Sequence, residues 1–168
     1  TMEYGFDSTV SQPLYWNGLV FVNSGWIFED NKPYFTREYA IDPTGKGDVT
    51  KTHVKWMYQD EFPQIPTPVI VDGKMYFVHD RGLASCIDAA TAKLIWKQEL
   101  KGNFNSSPIL AAGNLYFFNV KGDCTIIKPG DSFQKVAENS IGETVKAIPA
   151  FVDKGMVLRT DKHLYLIR

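Results

Sequence analysis

The chain has 168 residues, of which 44% are hydrophobic and 22% are charged, with a formal net charge of −1. This length suffices for one domain with a sizeable core, and the near-neutral charge gives no electrostatic reason to expect binding to nucleic acid or to an anionic membrane. No apolar run approaches the roughly 20 residues that span a bilayer, and residues 1–4 lack the basic start and apolar stretch of a signal peptide.

Four segments share one pattern: a proline, an apolar stretch, a turn containing glycine, and a second apolar stretch. Their prolines are Pro13, Pro68, Pro108 and Pro149, which are 55, 40 and 41 residues apart. A unit of about 40–45 residues with four strands is the repeat of a propeller blade. We therefore predict an all-β propeller with about four blades, at residues 9–60, 65–103, 106–143 and 146–168.

Each predicted blade begins with a hairpin. Asn17-Gly18 and Asp72-Gly73 are two-residue turns whose central residues both tolerate positive φ. The third strand is predicted at residues 83–87 and 124–127, and a fourth at residues 93–98. The first blade is longer, and its extra residues are expected to extend a hairpin around residues 26–33 and a turn at residues 43–48. The last blade ends after its third strand, at residues 164–167.

Residues 86–96 resemble the tryptophan-docking motif of pyrroloquinoline-quinone-like (PQQ-like) propellers, an Asp followed by Thr-Gly-Lys and Trp, although Ala92 replaces the glycine and loosens the turn. Residues 40–56 look like a lengthened copy of this motif, and Ala137 falls where a third tryptophan would lie. The resemblance covers essentially the whole chain and implies that the tryptophans pack between blades. The implied structural motif consists of Asp42, Trp56, Asp88, Thr91 and Trp96.

Two branches of this family differ in function. The quinoprotein alcohol dehydrogenases hold the quinone with calcium or a lanthanide, a catalytic Asp and usually a disulfide between adjacent cysteines. The non-enzymatic branch, similar to the outer-membrane-assembly lipoprotein, is a protein-binding platform. This sequence has no adjacent cysteines and no clustered Asp, Glu and Asn suited to a hard cation.

We therefore expect a non-catalytic propeller without cofactor or metal, which the resemblance places in the periplasm or outside the cell. PQQ and calcium belong only to the alternative, a fragment of a quinone-dependent alcohol or sugar dehydrogenase. A carbohydrate-binding propeller is a further alternative.

A binding face is predicted where the loops between the second and third strands and the loops between blades open on the same side. These loops mix both charge signs with aromatic residues that we expect to be exposed, which favours a protein or peptide partner. The candidate residues are Phe62, Arg81, Phe104, Lys121 and His163.

The remaining candidates for chemistry have structural interpretations. Cys86 and Cys124 are predicted to be buried thiols that form no disulfide. His53, His79 and His163 are expected to be surface or loop residues that share no metal. Residues 42–48 are interpreted as a solvated turn, because a lysine occupies a ligand position of the calcium loop.

Ring closure has three possible forms. Residues 1–8 are predicted to supply the outer strand of a neighbouring blade. Within one chain this strand would close a four-bladed ring, and between two chains it would close an eight-bladed homodimer, which the family resemblance favours. The chain is otherwise a fragment of a longer propeller.

Overall fold

The computed structural model describes residues 1–2, 10–26, 35–153 and 155–168. These residues form four antiparallel sheets, and in each sheet the strands are hydrogen-bonded in sequence order. The described part of the chain contains no helix that could cross a membrane. The prediction of an all-β protein made of propeller blades is confirmed.

The sheets are numbered as blades 1 to 4 along the chain. Blade 1 consists of β1 (Leu14–Trp16), β2 (Leu19–Trp26), β3 (Phe35–Ile41) and β4 (Val54–Tyr58); blade 2 of β5 (Val69–Val71), β6 (Lys74–Val78), β7 (Leu83–Asp88) and β8 (Leu94–Glu99); blade 3 of β9 (Ile109–Ala111), β10 (Asn114–Phe118), β11 (Asp123–Lys128) and β12 (Gln134–Ser140); and blade 4 of β13 (Ala150–Val152), β14 (Gly155–Arg159) and β15 (Leu164–Ile167).

The first turns of blades 1 and 2 have the conformation that their sequences predict. Asn17 and Asp72 both have φ of 48°, and each is followed by a glycine with positive φ, so the predicted two-residue turns are confirmed. The third blade makes the same turn with Ala112 at φ 47°. An alanine in this left-handed region costs about 1–2 kcal/mol, because its Cβ approaches the following carbonyl oxygen.

Blade 1 contains the longest hairpin. Strands β2 and β3 pair from Val20↔Ile41 to Trp26↔Phe35, and the predicted extension at residues 27–34 lies outside the described residues. The predicted outer strand at residues 1–8 also falls largely outside them. Of that segment, the structure describes Thr1, whose carbonyl oxygen accepts a hydrogen bond from the Val49 N–H at 2.8 Å.

A β-bulge recurs at one position of the repeat. It lies in β3 after Ala40, in β7 after Cys86 and in β11 after Ile126. The residues that pair with these three on the outer strands are Trp56, Trp96 and Ala137, respectively. Ala137 therefore occupies the tryptophan position of blade 3.

The two tryptophans contact the following blade. The Trp56 indole N–H donates to the carbonyl oxygen of Ala89 at 3.2 Å, and the Trp96 indole N–H donates to that of Gly130 at 3.2 Å. Trp96 is 8% exposed, and its ring meets Phe133 edge-on at a centroid distance of 5.6 Å. Each indole thus joins one blade to the turn before the outer strand of the next.

The turns between the third and fourth strands of blades 1 and 2 are stabilised by hydrogen bonds between an aspartate and a threonine. The Asp88 carboxylate accepts bonds from the Thr91 hydroxyl at 2.7 Å and the Thr91 N–H at 2.8 Å. Asp42 accepts the same pair of bonds from Thr44, at 2.6 and 3.0 Å. The expectation of a loosened turn at Ala92 was wrong, because Ala92 has φ of 59° and keeps the left-handed conformation that glycine would adopt.

The hydrophobic core lies between adjacent blades. Phe21 and Ala40 of blade 1 pack against Met75 and Phe77 of blade 2. The core between blades 2 and 3 and the core between blades 3 and 4 are built in the same way, and their fully or nearly fully buried residues include Tyr76, Cys86, Leu115, Phe117, Phe118, Cys124 and Leu158.

Candidate binding face

One side of the sheets is formed by the turns between their second and third strands and by the linkers between blades. We call it the turn face, and define it by turns 79–82, 119–122 and 160–163 and linkers 59–66, 100–106 and 141–147. Gly82 and Gly122 have φ of 100° and 86°. A Cβ at these positions would lie 2.5 Å from the Leu100 carbonyl oxygen and 2.2 Å from that of Glu143, respectively. The linkers therefore lie directly on the turns.

Backbone hydrogen bonds join linkers 100–106 and 141–147 to the turns. Leu100 N–H donates to the Gly82 carbonyl oxygen at 2.7 Å, and Phe104 N–H donates to that of Asp80 at 2.8 Å. The corresponding bonds in blade 3 run from Ile141 to Gly122 and from Val145 to Val120. The turn face is consequently an ordered layer of backbone.

The expectation that Phe62 and Phe104 are exposed was wrong. Phe62 is 0% exposed and Phe104 is 1% exposed. Val145, which holds the same position in the next linker, is also buried, at 0%. The Phe62 ring packs against Phe77 at a centroid distance of 4.5 Å. These residues are buried because each linker turns inwards and places one apolar side chain in the core between two blades, so neither phenylalanine contacts a partner on the turn face.

Cationic side chains repeat along the turn face. Arg81 and Lys121 are exposed, and each directly precedes the glycine of its turn. The same position in blade 4 is Lys162, which is also exposed. The sequence interpretation chose His163 as the candidate in this turn and not Lys162, although the repeat places Lys162 41 residues after Lys121.

The acidic residues of the same turns bind neighbouring groups of the protein. The Asp80 carboxylate accepts hydrogen bonds from the backbone N–H groups of Gln64 at 2.8 Å and Ile65 at 3.2 Å. Asp123 accepts a bond from the Ser140 hydroxyl at 2.7 Å. That bond and a bond from the Asn119 amide lower the pKa of Asp123. These acids thus hold the layer together.

His163 differs from the other candidates because it belongs to a polar cluster. Its Nδ1 lies 2.9 Å from Oε1 of Glu143, and its ring meets Tyr165 at 5.6 Å. The Thr160 hydroxyl donates to Glu143 Oε2 at 2.6 Å. The Thr160 bond and, after it, the His163 bond lower the pKa of Glu143. His163 is exposed, as expected.

His79 lies in a loop, as expected, but it is buried there and is not a surface residue. It is only 7% exposed, and its Nδ1 accepts a hydrogen bond from the Arg81 N–H at 3.2 Å. The physical reason is that this position closes the turn, as Asn119 does in the next blade by accepting a bond from the Asp123 N–H at 2.9 Å.

Both cysteines are buried and free. Burial raises the pKa of Cys86 to about 11 and that of Cys124 to about 12. In the described ranges, no three His, Cys, Asp or Glu side chains are grouped as metal ligands would be.

An apolar cavity of about 690 Å³ lies between blades 3 and 4. Tyr116 and Ile126 line it, and both belong to the cross-strand row that ends at Ala137. In the preceding two blades a tryptophan stands at the end of this row. Blade 3 has only the small side chain of Ala137 at that position.

The repeated four-stranded sheets define the class of protein as a β-propeller. A family model described as outer membrane protein assembly factor BamB matches residues 39–131, which is more than half of the chain. The chain therefore belongs to this family of PQQ-like propeller repeat proteins, as the sequence resemblance predicted.

Relatives include both enzymes and a designed protein. Polyvinylalcohol dehydrogenase from Sphingopyxis sp. (strain 113P3) is 24% identical over 89 residues, which are 53% of this chain and 13% of the enzyme. A europium-containing methanol dehydrogenase matches with a TM-score of 0.63 and 16% identity over 83% of this chain and 26% of its own. The computationally designed Ika4 protein matches with a TM-score of 0.69 and 8% identity, over 100% of this chain and 96% of its own. These structural likenesses show the fold, and the chain spans about a quarter or less of either dehydrogenase.

Proposed function

We propose that this chain is a non-catalytic propeller module that binds an acidic segment of a protein on its turn face. The proposal is carried by one observation: three successive blades place an exposed cation at the same point of the same turn, at Arg81, Lys121 and Lys162. A row of like charges held at repeated positions suits an extended chain of opposite charge, because complementary potentials steer encounter and fix register.

The surroundings of these cations support a protein partner. The acids of the same turns are engaged with backbone and hydroxyl donors. Linkers 100–106 and 141–147 are fixed by backbone hydrogen bonds, and linker 59–66 by bonds from its backbone to the Asp80 carboxylate, so little ordering of this surface would oppose binding. Families of this type are periplasmic or otherwise extracytoplasmic, and we propose the same location for this chain.

The experiment selects peptides on the protein and then reverses charges. Peptides from a phage-displayed random library are selected on the wild-type chain, and their affinities are measured by fluorescence anisotropy. The test variant is Arg81→Glu, Lys121→Glu and Lys162→Glu combined. The matched control is Lys51→Glu, Lys93→Glu and Lys128→Glu combined, which changes the net charge equally at exposed lysines at or next to the turns between third and fourth strands.

We expect the selected peptides to be rich in Asp and Glu, to lose binding to the turn-face variant, and to retain most of it with the control. Their binding should also weaken with added salt, because exposed charges are screened over about 10 Å at 0.1 M salt. Equal losses in the two variants, or selected peptides without acidic enrichment, would contradict the proposal.

A second candidate function is favoured by the match to polyvinylalcohol dehydrogenase. In that case the chain would be part of a quinone-dependent dehydrogenase. Incubation with PQQ and calcium, followed by dye reduction with primary alcohols or polyvinyl alcohol, separates the two candidates. Sustained turnover would defeat the non-catalytic proposal.

The eight-bladed homodimer also stays a prediction. A light-scattering mass of the chain in solution tests it, and a stable monomer would rule it out.

A further inference from the structure

A polar row interrupts the core between blades 1 and 2. Asn23, Glu38 and Tyr58 are directly paired across β2, β3 and β4. The corresponding row in blade 2 is Val78, Ala84 and Gln98, and the row in blade 3 has Cys124 at its centre. Blade 1 therefore has a carboxyl group where its neighbours have a small side chain.

The facing row of blade 2 consists of Phe77, Ser85 and Lys97. The two rows are in contact, because the Tyr58 and Phe77 rings meet edge-on at 5.9 Å and Lys97 Nζ lies 2.6 Å from the carboxylate of Asp60, two residues after Tyr58. Glu38 and Ser85 are thus central residues of two packed rows.

Three oxygen atoms in these rows are buried without a hydrogen-bond partner among the described residues. They are Oε2 of Glu38, the hydroxyl oxygen of Tyr58 and Oγ of Ser85. Glu38 is 2% exposed and Ser85 is 0% exposed. A buried polar group without a partner costs free energy, so a bound donor that reached these oxygens would be stabilised by them.

A cavity of about 470 Å³ lies directly beyond the two rows. Its lining includes Thr36, Leu83 and Glu99. Each of these lies two positions along its strand from a row residue, and alternate strand residues share a side. Thr36 adjoins Glu38, Leu83 adjoins Ser85, and Glu99 adjoins Lys97. The rows with the unpartnered oxygens therefore lie next to the cavity.

The charges around the cavity favour a cation. Burial raises the pKa of Glu38 well above its ordinary value. Burial, then the nearby Asp60 and Glu61, raises the pKa of Tyr58, so the local potential at this hydroxyl is negative. Once Glu38 is ionised, carboxylates outnumber the cationic side chains. The other titratable groups that face the two rows or the cavity are Asp60, Glu61, His79, Arg81, Lys97 and Glu99.

We propose that the seam between blades 1 and 2 is a binding site for a primary ammonium group, with Glu38 as its counter-ion and Tyr58 and Ser85 as further acceptors. A primary ammonium has three N–H donors and no acceptor, and Glu38, Tyr58 and Ser85 each have an oxygen without a partner that can accept such a bond. On binding, Glu38 releases its proton to the buffer, and the carboxylate and ammonium form a charge-assisted pair. The site goes beyond the proposed binding of acidic segments, and Glu38 is not part of the turn face.

The probe is n-butylammonium, titrated into the full chain near pH 7 by isothermal calorimetry. Buffers of different ionisation enthalpy report the proton released. n-Butanol, which has the same shape without charge, and tetramethylammonium, which has charge without N–H donors, are the control compounds. We expect butylammonium to bind with proton release and both control compounds to bind much more weakly.

The variant Glu38→Gln removes the charge and keeps the shape, and it should weaken butylammonium binding about tenfold or more and abolish the proton release. Ser85→Ala should weaken binding by a smaller factor. Thr125→Ala, the counterpart of Ser85 in blade 3, should leave it unchanged. If Glu38→Gln fails to fold, Glu38→Ala replaces it, because blade 2 already has alanine at this position.

Absence of butylammonium binding to the wild-type chain, binding without proton release, or equal binding by Glu38→Gln would overturn the proposal, and water alone would then occupy the site. The acidic-peptide experiment is independent of these outcomes, because Glu38→Gln leaves the three turn-face cations in place.

Discussion

Replacing Trp96 by alanine tests how strongly the blades depend on their indole contacts. A tryptophan buries about 150–250 Å², and Trp96 is only 8% exposed. At about 25 cal/mol per Å², and with the hydrogen bond to Gly130 lost, the variant should be less stable by about 4 kcal/mol. This is a large part of the 5–15 kcal/mol by which a typical domain is stable.

The loss of stability should be smaller at Trp56 than at Trp96. Trp56 is only partly buried, and its ring pairs with Phe21 at 5.7 Å. Trp56→Ala should therefore cost less, about 2–3 kcal/mol. Trp96→Phe, which keeps a ring but loses the N–H donor, should cost about 1–2 kcal/mol.

The assay is urea unfolding followed by far-ultraviolet circular dichroism. Hydrogen exchange of the β8 and β11 amides accompanies it, because repeat proteins unfold in parts. A loss below about 1.5 kcal/mol for Trp96→Ala, which is too small for a buried indole, would refute the reasoning. So would a larger loss for Trp56→Ala.

Three further predictions concern turns. Ala112→Asn should raise the free energy of unfolding by about 1 kcal/mol, because asparagine tolerates the left-handed region better than alanine, and thermal unfolding measures it. Gly122→Ala should cost about 3 kcal/mol, because its Cβ would meet a backbone carbonyl oxygen, whereas Gly113→Ala, with open space around its Cβ, should cost only about 1 kcal/mol. The pKa of Asp88 is lowered by its Thr91 bonds. The stability that the Asp88 carboxylate gives the folded chain is therefore present above the unfolded pKa and is lost as pH falls through the lower folded pKa. Thr91→Val should destabilise the chain at neutral pH and not at strongly acidic pH, as urea midpoints measured across pH would show.

Much of the fold could be predicted because its determinants are local. Asn17-Gly18 requires a two-residue turn wherever it occurs in a hairpin, and the proline and tryptophan spacings are visible without any long-range information. The phase of Trp56, Trp96 and Ala137 follows from the same count, and all three lie at one register position.

The linkers could not be predicted in the same way. Phe62 and Phe104 stand among polar residues without periodicity, and the sequence pattern alone assigns such residues to exposed loops. Their burial is decided by the next blade, whose turn binds the linker backbone and whose core accepts the ring. This is a long-range contact that no local pattern encodes.

The burial of Glu38 could have been predicted from the repeat in the sequence, but it was missed. Its register position corresponds to Ala84 and Cys124 in the next two blades, so the repeat alignment places a carboxyl group in the core. Ser85 could not be recognised similarly, because a serine on a strand is common and only the absence of a partner distinguishes it.

The most direct test of the proposed function is a map of backbone amide chemical shifts as a selected acidic peptide is added to isotope-labelled protein. The proposal predicts that the largest changes lie at residues 79–82, 119–122 and 160–163, with little change at residues 90–93 and 129–133. Changes concentrated at residues 90–93 and 129–133, or spread evenly over both sets of turns, would contradict it.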